Sequence, residues 1–229
     1  MGDFVLSSRL GAAFKYVRQN AVFADVGTDH AFLPIALLKS GKIERAICSD
    51  INEGPLSSAR KNAREQGVFD KIEFLLSDGA RGLADKPFTD VAICGMGGEL
   101  IRDIIKDAPH LKRGDVRLIL QPMTKPKILR KFLYEAGFDI LFEDYSSDAG
   151  KYYVTLVCEY RGGVIEASEV EMEIGKGETR VALNDAFYGY FRQKAASLQR
   201  EIEGKTMGGL SADKEEELLR IINLILRGN

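Results

Sequence analysis

The stretch DILFEDYSSDAGKYYVTLVCEY, from Asp139 to Tyr160, contains two apolar runs that are joined by the short segment SSDAG. That segment cannot hold the crossover helix that neighbouring parallel strands require, so the two runs should form an antiparallel pair. Upstream, from about Phe23, apolar runs alternate with helical patterns. Strands that are apolar nearly throughout and alternate with helices predict a parallel sheet covered on both faces.

The order of elements along the chain is five βα units, a further helix and a terminal hairpin. The strand-like runs are VFADV, RAICSDI, KIEFLLSD, TDVAICGM, VRLILQP, DILFEDYS and KYYVTLVCEY. A plain dinucleotide-binding domain ends with a parallel sixth strand, whereas the Rossmann-like methyltransferases that use S-adenosylmethionine end with an inserted antiparallel seventh strand. The order therefore resembles the α/β fold of class I methyltransferases, with a seven-stranded mixed sheet and an antiparallel last strand.

A second region, helical in pattern, begins after the RGG of Arg161–Gly163. Ser168 and Glu171 fit a capping box, and Gly175 is placed to end that short helix. Farther on, two apolar seams of helical spacing flank the segment GKTMGGLS, and their members are Phe187, Phe191, Ala195, Leu198 and Ile202, then Leu218, Ile222 and Ile225. The pattern predicts a small C-terminal domain with an antiparallel, coiled-coil-like helical hairpin. We expect two domains, residues 1–161 and 162–229, although the hairpin can equally serve only as packing for the first.

Composition limits the class of protein. The chain has 229 residues, of which 45% are hydrophobic and 29% charged, so a globular protein with a substantial core is expected. No run of about 18 apolar residues occurs, and the first residues lack the apolar centre of a signal peptide. We therefore expect no membrane span and a cytoplasmic protein. A net charge of −2 does not mark a nucleic-acid binder, but such an average can hide a local basic face.

Cysteine and histidine give no metal signature. Cys48, Cys94 and Cys158 each lie in an apolar, strand-like run, and none belongs to a C-x-x-C pair. This pattern is typical of buried free thiols in a reducing compartment. His30 and His110 share no ligand spacing. We expect no metal site, and for His30 a packed side chain is favoured over a role in chemistry.

The first strand leads into the turn of the stretch VFADVGTDHAFLPIALLKSG, from Val22 to Gly41. The turn has Gly27 but lacks the three spaced glycines of the dinucleotide fingerprint. Asp25 and Asp29 would repel a pyrophosphate, whereas they would offset the charge of a cationic ligand. Gly27 allows the backbone to approach that ligand closely. For Asp29 two roles remain open, a ligand contact and the N-cap of the following helix.

Polar residues also follow the next strands in turn. Asp50 ends the second run, where an acid accepts hydrogen bonds from ribose hydroxyls in this class of fold. Asp78 follows the third run and can accept from an adenine amino group, while Gly79 admits the ring; the alternative is a simple Asp-Gly turn. The glycine-bearing loop 95–97, made of Gly95, Met96 and Gly97, should face the crevice. Gln121, at the end of the fifth run, is expected to border the acceptor pocket.

The motifs together resemble one family, TrmK, the bacterial tRNA (adenine(22)-N1)-methyltransferases. The resemblance covers nearly the full chain and is carried by LSSRL, DVGTDHAFLP, SDINEGPL, SDGARGL, CGMGGELI, QPM and AGKYYVTLVCEY. It implies methyl transfer from S-adenosylmethionine to N1 of an adenine in tRNA. Many enzymes that methylate exocyclic amines carry an acid or asparagine followed by two prolines after strand four. The GMGG of this chain departs from that pattern, which argues against an exocyclic amine as the target.

Adenine N1 lies on the Watson–Crick edge, so the base must be unpaired or flipped to react. A stacking aromatic is then expected, and Tyr145, Tyr152 and Tyr153 are candidates, of which we select Tyr153. Asp29 is the candidate that accepts the N6 proton as positive charge develops. Basic residues that could contact tRNA phosphates, or else form solvated faces, are Arg9, Lys15 and Arg18 near the start and Arg180, Arg192, Lys194 and Arg200 in the second region.

Two other classes of function remain open at this point. One is a methyltransferase for a small molecule or protein, which a lack of salt-dependent RNA binding would favour. The other is a tRNA-binding module that keeps the fold without turnover. A nicotinamide dehydrogenase is disfavoured by the terminal hairpin and the missing glycines. We expect a monomer.

Overall fold

The computed structural model describes residues 6–181 and 183–228. The strands are β1 (Phe23–Val26), β2 (Ala46–Asp50), β3 (Ile72–Leu76), β4 (Asp90–Met96), β5 (Arg117–Pro122), β6 (Phe138–Asp148) and β7 (Lys151–Tyr160). The helices are α1 (Ser8–Tyr16), α2 (Phe32–Lys39), α3 (Glu53–Glu65), α4 (Gly98–Lys106), α5 (Pro126–Glu135), α6 (Glu169–Ile174), α7 (Asp185–Met207) and α8 (Asp213–Arg227). Each predicted apolar run corresponds to one of these strands.

The strands form one seven-stranded sheet in the order β3-β2-β1-β4-β5-β7-β6. The neighbours from β3 to β5 pair in parallel, whereas β7 runs antiparallel to both β5 and β6. The predicted mixed sheet with a terminal antiparallel hairpin is therefore confirmed. Two apolar clusters cover its faces, as expected for strands that are apolar on both sides.

The strand order reverses between β1 and β4, and this reversal determines where a ligand can bind. Chain connections leave those two strands toward opposite sides, so a crevice opens beyond their carboxyl ends. The segments that follow β1, β2, β3, β4 and β5 all emerge at this edge. Strand β6 is parallel to β5, because both are antiparallel to β7, so the turn after Asp148 lies at the same edge.

Helix α1 was not predicted from the sequence. Its N-cap is Ser7, whose side chain accepts a hydrogen bond from the Leu10 amide at 3.4 Å. Ion pairs join the helix and the following segment to the sheet: Lys15 pairs with Asp144 at 3.0 Å, and Arg18 with the fully buried Asp90 at 2.6 Å. Lys15 and Arg18, which were candidates for phosphate contacts or solvated faces, therefore have carboxylate partners within the protein.

The C-terminal helices agree with the prediction except at one boundary. The capping box of Ser168 and Glu171 is present, and Gly175 ends α6. The segment Gly204–Ser211 was expected to be a loop, but α7 continues through Met207 and the connection begins only at Gly208. A glycine lowers helix propensity without breaking a helix, and Lys205 pairs with Glu201 and with Glu215 of α8, which joins the last turn to the neighbouring helix.

A buried ion pair joins this region to the sheet. Arg130 of α5 and Glu143 of β6 are both fully buried and bond through two hydrogen bonds of 3.0 and 2.7 Å. Arg130 also donates to the carbonyl of Glu173 in α6 at 3.2 Å. Gly175 is required here because a Cβ at that position would collide with the Glu143 carboxylate.

One hydrophobic cluster includes residues of the sheet together with Phe187, Phe191 and Leu198 of α7 and Ile222 of α8. The helical hairpin therefore packs on the sheet as part of the same core. The division at residues 161 and 162 stays a prediction about separate folding units. Among the described residues, no helix is both long and apolar enough to cross a membrane.

Candidate active site

The turn after β1 has an unusual backbone. Gly27, Asp29 and Ala31 have φ angles of 73°, 48° and 56°, in the left-handed region. This conformation costs free energy at Ala31 above all, since aspartate tolerates it, and such strain clusters at functional sites. Helix α2 begins only at Phe32, and its N-cap Ala31 makes no side-chain cap. The interpretation of Asp29 as an N-cap is therefore wrong, and its side chain is 69% exposed.

Asp25 is the buried carboxylate below this turn, with 6% of its surface exposed. Its Oδ2 accepts a hydrogen bond of 2.6 Å from the hydroxyl of Thr28. The pKa of Asp25 is raised to about 6, mainly by burial and in smaller part by the nearby charge of Asp50, while the hydrogen bond from Thr28 and the charge of Arg9 oppose the rise. Loss of water around an anion is costly, so a cation that binds above Asp25 would be favoured.

A cleft of about 750 Å³ lies beyond the carboxyl ends of β1, β2 and β4. Its lining is Leu6, Ser7, Arg9, Leu10, Asp25, Gly27, Thr28, Asp29, His30, Phe32, Leu33, Asp50, Cys94, Gly95, Met96 and Asp148. Six of the predicted cofactor residues are thus brought together, namely Asp25, Gly27, Asp29, Asp50, Gly95 and Met96. Asp50 accepts the Asn52 amide at 2.9 Å through Oδ1, so this oxygen also orders the loop before α3.

Gly27 was expected to let a ligand approach the backbone, but in this structure the side chain of Met96 lies against it. A Cβ at this position would collide with the terminal methyl of Met96. The end of β4 therefore packs against the turn after β1. The methyl group is the end of a flexible side chain and can move, so the φ angle of 73° is the stronger reason for a glycine at this position.

Three predicted cofactor residues lie outside the lining. Gly97 is the N-cap of α4. Asp78 accepts a hydrogen bond of 2.9 Å from Arg81, and Gly79 packs against Ile104. Asp78 and Gly79 follow β3 at the same edge of the sheet, so their expected contact with an adenine ring stays a prediction.

Gln121 lies behind the cleft rather than at its border. The residue is fully buried. Its side-chain amide donates to the Arg9 carbonyl and to the Thr155 hydroxyl, both at 2.9 Å, and its oxygen accepts from the Arg9 guanidinium at 2.8 Å. Gln121 thus holds the backbone and the side chain of Arg9, which itself lines the cleft.

The tyrosines that were expected to stack on a base are packing residues in this structure. Tyr145 is 2% exposed and contacts the rings of Phe187 and Phe191, and Tyr153 is 8% exposed. The ring of Tyr152 lies against Gly189 of α7. None of the three lines the cleft described above.

The expectation for His30 was wrong in the other direction, because its side chain is exposed rather than packed. A packed side chain was favoured, but the His30 side chain is 45% exposed and lines the cleft. Its ring stacks on Phe32, with centroids 5.1 Å apart. The sequence signal that could have located it is its place one residue after Asp29, in the turn that follows the first strand.

The basic residues of the second region divide into two that are bonded within the protein and two that are exposed. Arg192 is exposed, with its guanidinium 6.0 Å from the centre of the Tyr188 ring, and Arg200 is also exposed. Lys194 instead bonds to Glu173 of α6 at 2.8 Å. Arg180 donates to the carbonyls of Ile174 and Gly175. Of this group, Arg192 and Arg200 are the residues placed to meet a partner.

The cysteines are not placed for chemistry. Cys48 and Cys158 are buried, as expected. Cys94 lines the cleft, but burial raises the pKa of its thiol to about 12, so the nucleophilic thiolate is not formed near neutral pH. Within residues 6–181 and 183–228, no group of three or more acidic, histidine or cysteine side chains could hold a metal ion.

Comparisons with known proteins agree with this geometry. A methyltransferase domain family matches residues 6–156. Over 159 residues the chain is 33% identical to the tRNA (adenine(22)-N(1))-methyltransferase of Bacillus subtilis (strain 168), and this alignment covers 69% of the chain and 67% of that protein.

Solved structures resemble nearly the whole chain. The Streptococcus pneumoniae protein Sp1610, described as a candidate tRNA (m1A22) methyltransferase and solved with S-adenosyl-L-methionine, has a TM-score of 0.83 and 31% identity, with 95% of this chain and 99% of that chain covered. The M. capricolum TrmK structure with S-adenosyl-homocysteine has a TM-score of 0.76 and 27% identity, with 95% of each chain covered.

Sheet order, terminal hairpin and acidic cleft together define a Rossmann-like methyltransferase fold. The chain belongs to the methyltransferase domain family and, within it, to the family of the tRNA (adenine(22)-N1)-methyltransferases.

Proposed function

We propose that this protein methylates N1 of an adenine in tRNA, at position 22, with S-adenosylmethionine as the methyl donor. The observation that carries the proposal is the cleft in which Asp25, Asp29 and Asp50 share one lining at the carboxyl ends of β1 and β2. The family to which the chain belongs supports the choice of tRNA and of the adenine ring nitrogen.

The residues of the cleft fit a cationic cofactor of this size. S-adenosylmethionine supplies, when bound, an electrophilic methyl group on a positively charged sulfur. The cleft volume of about 750 Å³ lies within the usual range of small-molecule sites. Asp25 and Asp29 provide negative charge next to Gly27, where a phosphate-bearing ligand would be repelled. We assign the ribose hydroxyls to Asp50, because an acid at the end of β2 accepts their hydrogen bonds in this class of fold.

The protein's part in the reaction is mainly positioning. Ring N1 of adenine has a free lone pair, so it needs no base before it attacks the methyl carbon. Holding acceptor and donor in line can contribute about 7–11 kcal/mol to lowering the barrier. We assign to Asp29, whose side chain is 69% exposed in the cleft, the acceptance of a hydrogen bond from N6 as positive charge develops on the ring.

Substrate binding extends beyond the cleft. We assign Arg9, which Gln121 holds at the cleft wall, to a phosphate near the target nucleotide. Arg192 and Arg200 on α7 are assigned to phosphates farther away, since such contacts fix the register of a nucleic acid without reading its sequence. We further propose a monomeric, cytoplasmic enzyme, and the reaction as written needs no metal.

The test is methylation of tRNA with isotopically labelled S-adenosylmethionine, followed by nuclease digestion and mass mapping. We expect one labelled N1-methyladenosine, at position 22. Asp50→Ala should stay folded but bind S-adenosylmethionine more weakly in calorimetry, by about 10- to 100-fold for a lost charge-assisted pair of hydrogen bonds. Label on an exocyclic amine or on no tRNA nucleotide would contradict the function, and unchanged cofactor affinity in folded Asp50→Ala would contradict the ribose assignment.

A further inference from the structure

Two aromatic rings stack on each other at the wall of the cleft. His30 and Phe32 both belong to its lining. Their ring centroids are 5.1 Å apart with an angle of 20° between the planes, so the rings are stacked. The His30 side chain is 45% exposed and Phe32 is 41% exposed. A large apolar ring with that exposure at a cleft is suited to cover a flat ligand.

The backbone holds this pair firmly. His30 stands between Asp29 and Ala31, both of which have the left-handed conformation. The carbonyl of His30 accepts a hydrogen bond of 3.0 Å from the side chain of Asn62 in α3. Phe32 is the first residue of α2. A strained turn that is fixed from two helices is typical of a functional presentation of side chains rather than of a simple connection.

The cleft has few other groups that could stack on a base. Among the described residues that line it, His30 and Phe32 supply the aromatic rings. Apolar surface suited to the cofactor's adenine lies elsewhere, since Ile51 and Leu76 are each 61% exposed at the ends of β2 and β3, beyond Asp50. The cofactor's adenine therefore does not require the aromatic pair.

We propose that the His30–Phe32 pair is the stacking platform for the target adenine. This inference rests on the proposed function. A base that is read outside a helix is held by stacking on aromatic side chains. The Asp29 carboxylate lies 3.5 Å from Nε2 of His30, so a base on this platform has a hydrogen-bond acceptor next to its edge. That acceptor suits the amino group of adenine and opposes the carbonyl oxygen of guanine.

The test compares His30→Ala with His30→Phe, because phenylalanine keeps the aromatic face and removes the ring nitrogens. We expect kcat/KM for tRNA to fall about 10- to 100-fold in His30→Ala, as for the loss of one base–aromatic contact, and to stay within about threefold of the parent in His30→Phe. Affinity for S-adenosylmethionine should be unchanged in both. Phe142→Ala is the matched control, since Phe142 is 38% exposed on β6 and lies outside the cleft lining.

A second readout does not depend on turnover. With 2-aminopurine at the methylated position and S-adenosylhomocysteine present, we expect the bound tRNA to fluoresce less with the parent and with His30→Phe than with His30→Ala, because only the first two offer an aromatic ring to the unstacked base. An equal loss of activity in His30→Phe and His30→Ala would overturn the platform in favour of a polar role of the imidazole. A parallel loss of cofactor affinity would overturn it in favour of a cofactor contact. If the parent itself does not methylate tRNA, the proposed function fails first.

Discussion

Charged side chains are paired with opposite charges at the joint between the C-terminal helices and the sheet, whereas the acidic side chains of the cleft are not. At the joint, Arg130 and Glu143 are fully buried and satisfy each other through two hydrogen bonds, and Lys194 of α7 bonds to Glu173 of α6. In the cleft, Asp25 is buried next to a hydroxyl, and Asp29 is exposed in a strained turn.

This difference separates structural charges from binding charges. A buried charge that has a partner is stable in the absence of any ligand, whereas a buried charge without an opposite partner raises the free energy of the folded state. The cleft retains that cost because a cationic ligand removes it. Sequence position alone does not distinguish the two cases, since Lys194 and Arg192 lie on the same helix and only Lys194 is paired with a carboxylate across the joint.

The largest expected change in stability follows from removing one partner of the buried ion pair at the joint. Arg130→Met leaves Glu143 buried without its cation, which should lower the free energy of unfolding by about 3–5 kcal/mol. The double variant Arg130→Met/Glu143→Leu should recover much of that loss, because no unpaired charge remains. Urea unfolding measures both. Lys61→Ala is the control, as its pair with Glu65 is exposed and contributes about 0.5 kcal/mol or less. A loss below 1 kcal/mol in Arg130→Met would mean that the joint does not depend on this pair.

The second prediction concerns stability and pH at Asp25. Its pKa is raised from 3.8 to about 6 in the folded protein, so the folded state holds a proton that the unfolded state has released. Stability from this group is full below pH 3.8 and is lost as pH rises through 6. Asp25→Asn removes the charge and should stabilise the fold by about 2–3 kcal/mol above pH 6, with no gain near pH 3.5.

Unfolding curves of the two proteins between pH 3.5 and 8 check this prediction, with Asp29→Asn as the exposed control. Asp25→Asn should also bind S-adenosylmethionine more weakly, since its amide cannot offset a cation. A variant whose gain in stability is independent of pH would contradict the raised pKa. A variant with unchanged cofactor affinity would show that Asp25, like the pairs of the joint, has a structural role only.

The smallest expected effect is on the salt dependence of tRNA binding, and it distinguishes the exposed cations of α7 from the paired one. Arg192→Ala/Arg200→Ala should flatten the dependence of log affinity for tRNA on log salt by about two units, one for each lost phosphate contact. Lys194→Ala should leave that slope unchanged and lower stability by less than about 1 kcal/mol, because its partner Glu173 also pairs with Lys127. Binding titrations at several salt concentrations measure the slopes. Equal slopes for the double variant and the parent would place the tRNA contacts away from Arg192 and Arg200.

By itself the sequence determined the succession of strands along the chain, the antiparallel hairpin after Asp139 and the alignment of Asp25, Gly27 and Asp50 at one edge of the sheet. These features follow from local patterns: apolar runs fix the strands, the short segment SSDAG excludes a crossover, and successive parallel strands bring their ends together. The capping box at Ser168 is equally local, since donor and acceptor lie three residues apart.

Only the tertiary structure decided which side chains face the cleft and which are paired behind it. Gln121 holds Arg9, which lies 112 residues away in the chain, and Lys194 bonds to a carboxylate of another helix. The exposed His30 stands between Asp29 and Ala31 in left-handed backbone, a conformation that aspartate tolerates but alanine does not favour. Such contacts and strains arise from packing between segments that are distant in the chain, so the periodicity of apolar residues in the sequence does not predict them.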